Sequence, residues 1–170
     1  LQHGDDMILK RMKRRHLRAD ALRFIEDARR LRPEMSFGAD MIAGFPTETE
    51  EMFDNAVRLA EEAAIAHLHV FPYSPRPGTP AARMPQLDRS LVKDRAARLR
   101  ATGHRLHQSH LDGMIGTRQW LLVENNGLAH TENFTLVAAP GLRPGELVPV
   151  TITGHNGKHL DMQLTAAAAA

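Results

Sequence analysis

Two segments of the sequence combine unusual backbone residues with polar side chains that could hold a ligand. The first covers residues 43–48, where Gly44 would let another group approach the backbone closely. The second covers residues 73–80, where three prolines would hold Ser74 and Arg76 in fixed positions. Each segment directly follows an apolar run typical of a strand. Ligands of α/β folds bind at the carboxyl ends of strands, so both loops are candidate binding loops. The alternative is that they are tight, packed turns.

The helices that would flank these loops are predicted from capping residues and from apolar residues at helical spacing. Asp20 can cap a helix that ends before Pro33. Thr47 and Glu50 have the spacing of a capping box and predict the start of another helix, with free N–H groups that could meet a polar ligand. A long basic helix is predicted over residues 88–110.

The strands of this part are predicted at residues 35–45 and 67–73, and the proline-rich segment 74–85 is predicted to be irregular. Alternation of helix and strand at this spacing indicates βα units and a parallel sheet. We therefore expect about three βα units that form part of a barrel.

The sequence changes character after Gly113, which with Gly116 predicts a hinge. Short β-rich runs follow, separated by turn dipeptides such as Asn126-Gly127. Their spacing predicts a small antiparallel barrel. The predicted strands cover residues 119–124, 133–138, 146–153 and 160–164. The predicted domains are 1–113 and 114–165, followed by an alanine tail at 166–170.

Charge and composition narrow the classes of function. The chain has 170 residues, a net charge of +2 and no cysteine. Without cysteine it can form no disulfide, thiolate zinc site or cysteine nucleophile, and it cannot hold an iron–sulfur cluster by itself. No apolar run is long enough to span a membrane and no signal peptide is recognised, which predicts a cytoplasmic protein.

The charges are unevenly distributed, because two basic segments at 1–35 and 68–112 flank an acidic one at 36–67. If the basic segments met in space, they would form a phosphate-binding patch. The alternative is that they are solvated helix faces.

Several histidines and aromatic residues could have either a functional or a structural role. His104, His107 and His110 share one predicted helix, but a metal site would need another ligand, so packing or solvent exposure is favoured and no metal ligand is assigned. Trp120 and Phe134 could stack on bases, or they could belong to the core of the small barrel.

Taken together, the motifs resemble the second half of the radical-SAM methylthiotransferases. They are LQxGDD at 1–6, ILKRMKR at 8–14, DxIxGFPxETE at 40–50 and HxFPYSxRxGTxA at 69–81. The last fifty residues resemble the TRAM domain of that family, a small RNA-binding β-barrel. The fold class that this implies is α/β, with an incomplete radical-SAM barrel of the TIM type followed by a TRAM barrel. Segments 13–20, 37–40 and 153–155 are most similar to the tRNA threonylcarbamoyladenosine methylthiotransferases.

The resemblance implies a transferase that adds a methylthio group to carbon 2 of a modified adenosine beside the anticodon, with S-adenosylmethionine and two 4Fe–4S clusters. The cofactors carry the radical chemistry and the protein positions them. The cluster-binding half would be a missing N-terminal part of the same protein, because the sequence begins at Leu1 without cysteines. Alone, this chain would be inactive, and two copies could pair as a homodimer across open sheet edges.

The site residues follow the same resemblance, and none is a catalytic acid or base. The residues expected at S-adenosylmethionine are Gln2, Lys13, Arg14, Asp40, Ile42, Gly44, Phe71, Ser74 and Arg76. The residues expected at tRNA, chosen for charge or stacking, are Arg95, Arg98, Arg118, Trp120 and Phe134.

Two alternatives remain open at this point. His3 stands where the tRNA-modifying branch usually has serine and is more like relatives that modify a ribosomal protein, so a protein substrate is one alternative. The other is a non-catalytic RNA-binding module, because the chain has no cluster cysteines.

Overall fold

The structure is a computed structural model that describes residues 1–165, and the predicted alanine tail at 166–170 lies outside the described residues. The chain divides into two compact units, Leu1–His107 and the residues from Gln108 onward. Each is described separately below.

The first unit contains a parallel pair of strands, β1 and β2, packed against helices on one face. Its elements are α1 (Asp6–Arg11), α2 (Arg18–Leu31), β1 (Gly38–Ala43), α3 (Glu50–Glu62), β2 (His67–Pro72) and the first part of α4 (Arg89–Met114). The strands pair in parallel from Gly38 opposite His67 to Ala43 opposite Pro72. This confirms an α/β arrangement with parallel strands.

Alternation along β1 explains how the sheet is oriented. Ala39, Met41 and Ala43 are buried in a cluster with apolar residues of the helices, whereas Asp40 is exposed and Ile42 is half-buried. Successive side chains of a strand point to opposite faces. One face of the sheet therefore forms the core and the other is open.

Two strands pair here, not three, so the partial barrel stays a proposal. The carbonyl of Gln2 accepts the N–H of Ile42 at 2.9 Å, which places the first residues beside β1 without forming a regular strand. One further difference is a short 3₁₀ turn at Ala81–Arg83 inside the segment predicted to be irregular.

Two predicted helix starts were wrong by a few residues. Asp20 lies in the first turn of α2, where its carboxylate accepts the N–H of Leu17 instead of capping the helix from outside. Helix α3 is capped by Thr49, whose hydroxyl accepts the N–H of Met52. Thr47 precedes the helix with a φ of 67°, so the predicted capping box does not form.

The second unit is a closed five-stranded barrel in the order β3-β4-β5-β7-β6, which confirms the predicted small barrel. Its strands are β3 (Arg118–Val123), β4 (Leu128–Thr131), β5 (Leu136–Ala138), β6 (Leu147–His155) and β7 (Leu160–Leu164). Inward-facing residues such as Leu121, Val137 and Ile152 are fully buried with Leu111 of α4.

The barrel differs from the prediction in three details. Strand β4 was not predicted, because its four residues contain a histidine and no long apolar run. The barrel is not wholly antiparallel, since β5 meets β7 in parallel at Val137 and Leu160. Gly113, predicted as a hinge, lies inside α4, and the chain leaves the helix at Gly116, whose φ is 83°.

Among residues 1–165, no helix is both long and apolar enough to cross a membrane.

Candidate functional site

A cleft of about 510 Å³ lies at the open face of the β1–β2 pair and the loop that follows β2. It contains six of the nine residues expected at the cofactor, and these are Gln2, Asp40, Ile42, Phe71, Ser74 and Arg76. Sequence reasoning did not assign its other lining residues, which are Pro72, Tyr73, Thr79 and Ala81. The structure therefore brings the second predicted binding loop, strands β1 and β2 and the start of the chain to one place, whereas no residue of the predicted loop at 43–48 lines the cleft.

The register of the sheet explains the chemistry of this cleft. Ile42 lies directly opposite Phe71, and Asp40 lies directly opposite His69. Phe71 is 53% exposed, although it is a large apolar residue. The cleft thus combines an apolar pair with a neighbouring carboxylate, a surface suited to a flat heterocycle that carries polar groups.

Three predicted cofactor residues do not line the cleft. Gly44 has a φ of 76°, and a Cβ there would lie 2.8 Å from both methyl groups of Val92, so this glycine is needed for packing against α4. Lys13 and Arg14 follow α1 and are exposed, and neither contributes to the cleft lining.

The loop after β1 is held by the buried carboxylate of Glu48. This carboxylate accepts the N–H groups of Gly44 and Phe45 at 3.1 and 3.2 Å. It also accepts a charge-assisted hydrogen bond from Arg95 at 3.0 Å, and both side chains are almost completely buried. The loop conformation therefore depends on a buried ion pair between the loop itself and α4.

His3 completes this network and is itself fully buried. Its Nδ1 accepts the N–H of Asp5 at 3.0 Å, which leaves Nε2 to donate to Glu48 at 3.2 Å. His3 is therefore a packing residue beside the loop.

Arg95 was expected to contact tRNA, and the structure contradicts this. Arg95 is only 3% exposed, and its guanidinium binds both Glu48 and Glu50. Arg98 is more exposed but lies within 4 Å of carboxylates of Glu50, Asp54 and Asp94. Hydrogen bonding from Arg98, together with Arg95, lowers the pKa of Glu50.

These pairs also correct the predicted basic patch. Carboxylates of the acidic helix α3 form ion pairs with arginines of both basic segments. Arg105 pairs with Glu61, and Arg18 pairs with Glu62. Several charges that are separated along the sequence therefore pair in the fold.

Tyr73 links the buried loop to the cleft. Its ring meets the Phe45 ring edge-on, with centroids 5.3 Å apart. Its hydroxyl is buried and has no hydrogen-bond partner among the described residues, and burial raises its pKa. Tyr73 therefore presents a protonated donor at neutral pH.

The histidines of α4 have different partners. Nδ1 of His107 lies 3.1 Å from the carbonyl oxygen of Ala66, and Nε2 of His110 lies 2.7 Å from the Thr135 hydroxyl. Burial, with a smaller effect of His107 and His69, lowers the pKa of His67. Within residues 1–165, no group of three or more histidines and carboxylates is placed to hold a metal ion.

The barrel presents a second candidate surface. Arg118 and Trp120 project from the same side of β3, and Trp120 is 52% exposed. Phe134 is 81% exposed in the turn between β4 and β5, with a φ of 62°. The alternative that these two aromatic residues form the barrel core was wrong.

Sequence reasoning missed Glu48, Tyr73 and the structural role of His3. The signal for Glu48 was available, because an acidic residue four positions after Gly44 can reach back to the loop N–H groups. Tyr73 could have been found from its place between a strand and a polar loop.

Comparison with known proteins finds related tRNA-modifying enzymes. Threonylcarbamoyladenosine tRNA methylthiotransferase MtaB of Rickettsia prowazekii is 58% identical over 134 residues, covering 79% of this chain and 32% of that protein. tRNA-2-methylthio-N(6)-dimethylallyladenosine synthase of Ruegeria pomeroyi is 37% identical over 172 residues, covering 96% of this chain and 39% of that protein. The corresponding synthase 1 of Mycobacterium marinum is 37% identical over 177 residues, covering 94% of this chain and 34% of that protein. This chain thus spans about a third of the length of the relatives it matches. No family model matches the chain.

Proposed function

Because this chain belongs to the radical-SAM methylthiotransferase family, we propose that it is part of an enzyme that methylthiolates threonylcarbamoyladenosine next to the anticodon of tRNA. The observation that carries the choice of substrate is the 58% identity to a relative named for threonylcarbamoyladenosine, against 37% for relatives named for dimethylallyladenosine. Such an enzyme would work in the cytoplasm, where it meets tRNA.

The cleft residues fit S-adenosylmethionine. Ile42 and Phe71 would contact the adenine, and Gln2, Asp40 and Ser74 would offer polar groups to the ribose and the amino-acid part. When bound with 4Fe–4S clusters, this cofactor supplies the radical chemistry of the family. The clusters require thiolates, which this chain does not contain, so a further part of the protein would have to hold them.

The barrel surface supports an RNA substrate. A cationic group beside an exposed aromatic ring can pair with a phosphate while the ring stacks on a base, and Arg118 and Trp120 provide this combination on one strand. Phe134 offers a second exposed ring. Beyond tRNA, the proposed partners are a cluster-binding part of the same protein and a second copy that pairs along the free edge of β2.

The modification is tested by nucleoside analysis of tRNA from a strain in which the gene for this protein is deleted. We expect 2-methylthio-threonylcarbamoyladenosine to disappear and its unthiolated precursor to accumulate, with recovery after the gene is restored. Loss of 2-methylthio-dimethylallyladenosine instead would show that the protein methylthiolates dimethylallyladenosine. Unchanged tRNA nucleosides would contradict the proposal.

The barrel surface is tested with an anticodon-arm RNA and this chain. Replacing Trp120 with alanine is expected to weaken binding about tenfold with little change in salt dependence, because stacking contributes about 1–3 kcal/mol per base. Arg118→Ala should weaken binding less and reduce the salt dependence, because it removes a phosphate contact.

Arg143→Ala is the matched control for this measurement. Arg143 is exposed on the same barrel and pairs with Glu146, so its removal should have little effect on RNA affinity. If Trp120→Ala binds RNA as well as Arg143→Ala does, then Trp120 does not contact RNA.

A further inference from the structure

A second pocket of about 470 Å³ adjoins the cofactor cleft and has a different chemical character. It shares Pro72, Tyr73 and Ser74 with the cleft and is completed by the start of α4, which contributes Arg89 and Lys93. None of the described residues that line this pocket carries a carboxylate. An anion bound in this pocket would therefore contact positive charge and would not be repelled by a carboxylate of the lining.

The two cations of this pocket differ from three other arginines of α4. Arg95, Arg98 and Arg105 each pair with a carboxylate of α3. Among residues 1–165, neither Arg89 nor Lys93 has such a partner within 4 Å. They lie four positions apart, so they share one side of the helix, where like charges repel and weaken the helix slightly. This arrangement is unfavourable for the helix alone and favourable for an anionic ligand.

The carboxylate that directly precedes Arg89 in the sequence, that of Asp88, is bound at the start of α4. The carboxylate of Asp88 accepts the backbone N–H of Ser90 at 2.7 Å and also binds its hydroxyl, and these hydrogen bonds lower the pKa of Asp88. Asp88 is thus engaged at the helix cap and does not line the pocket.

Tyr73 supplies a neutral donor at the boundary between cleft and pocket. Its hydroxyl has no partner among the described residues, and the ring is held by its edge-on contact with Phe45. A buried hydroxyl without a partner is costly, so a ligand that accepts its hydrogen bond would gain affinity.

We propose that this pocket binds a backbone phosphate of the RNA, next to the nucleotide whose base enters the cleft. A phosphate only accepts hydrogen bonds and carries negative charge, which matches two unpaired cations and a free hydroxyl without a carboxylate. The pocket would make recognition depend on a nucleic-acid backbone and would select RNA over a protein segment. This inference rests on the proposed function, because it assumes that the substrate is RNA.

The test measures binding of an anticodon-arm hairpin that contains threonylcarbamoyladenosine, at several salt concentrations. For the double variant Arg89→Ala with Lys93→Ala we expect affinity to fall on the order of tenfold. The slope of log Kd against log salt should decrease by about 0.7 for the lost phosphate contact. The double variant Arg89→Lys with Lys93→Arg keeps both charges and should retain most of the affinity.

Arg23→Ala together with Arg32→Ala is the matched control, because it removes two exposed cations of the same unit, outside the pocket, and changes the net charge equally. Loss of affinity in the pocket variant and not in this control supports the proposal. Equal losses in both, or no binding of the hairpin by the unsubstituted chain, would overturn it.

A second measurement separates this inference from the proposed function. Titration with inorganic phosphate, followed by NMR of backbone amides, should shift the resonances of Tyr73, Arg89 and Lys93, and the pocket variant should lose these shifts. An absence of shifts in the unsubstituted chain would overturn the phosphate site. If tRNA nucleosides are unchanged in the deletion strain while the hairpin and phosphate results hold, the proposed modification fails and the phosphate site stands.

Discussion

Replacing Arg95 with alanine is expected to lower the free energy of unfolding of the first unit by about 3–5 kcal/mol, because it leaves a buried carboxylate without its cationic partner. Glu48 is fully buried and receives hydrogen bonds from Arg95, His3 and the loop after β1. Without the guanidinium, Glu48 must either stay charged in an apolar environment or take up a proton.

Hydrogen exchange of peptides from β1 and α3, with peptides of the barrel as an internal reference, measures this change. The matched control is Arg105→Ala, since Arg105 lies on the same helix and pairs with Glu61 where both side chains are exposed. Exposed pairs contribute about 0–1 kcal/mol. Equal effects of the two substitutions would contradict the assignment of Arg95 to a buried network.

Replacing Gly4 with alanine is expected to destabilise the first unit by about 3 kcal/mol, because the new methyl group would collide with backbone atoms that cannot rotate away. A Cβ at Gly4 would lie 2.2 Å from the carbonyl oxygen of Asn55 and 2.7 Å from the Cα of Ala56. The segment before α1 would have to move away from α3.

Gly38→Ala is the control for this effect. A Cβ there would lie 3.4 Å from the carbonyl oxygen of His67, which is an ordinary contact, and β1 has no positive φ at this position. We expect a change below about 1 kcal/mol, measured by the same exchange experiment. A loss at Gly38 as large as that at Gly4 would mean that the two glycines are not distinguished by close backbone contact.

Arg95→Ala is also expected to affect the cleft at the open face of the β1–β2 pair, which we propose binds the cofactor. The Glu48 network holds Gly44 and Phe45, Phe45 packs against Tyr73, and Tyr73 lines the cleft. Destabilising the network should therefore weaken ligand binding without removing any residue that touches the ligand.

The amino-acid sequence was enough to predict the fold class and the family, and it named six of the residues that line the cleft. Apolar alternation and turn dipeptides are local properties, so they predicted the parallel strands and the small barrel. The loops at 43–48 and 73–80 were recognisable because glycine and proline restrict the backbone wherever they occur. Of the six predicted residues that meet in the cleft, Ser74 and Arg76 belong to the second loop, none belongs to the first, and the others come from the two strands and the start of the chain.

Which charged and polar side chains are available to a ligand became visible only in the folded chain. Arg95 and Arg89 lie on the same helix and look alike in the sequence, yet one is buried against two glutamates and the other faces an open pocket. His3 and Glu48 are 45 positions apart, and nothing local predicts their contact. The availability of a charge depends on partners that folding brings from distant positions, and this dependence is why composition and spacing could not assign these residues.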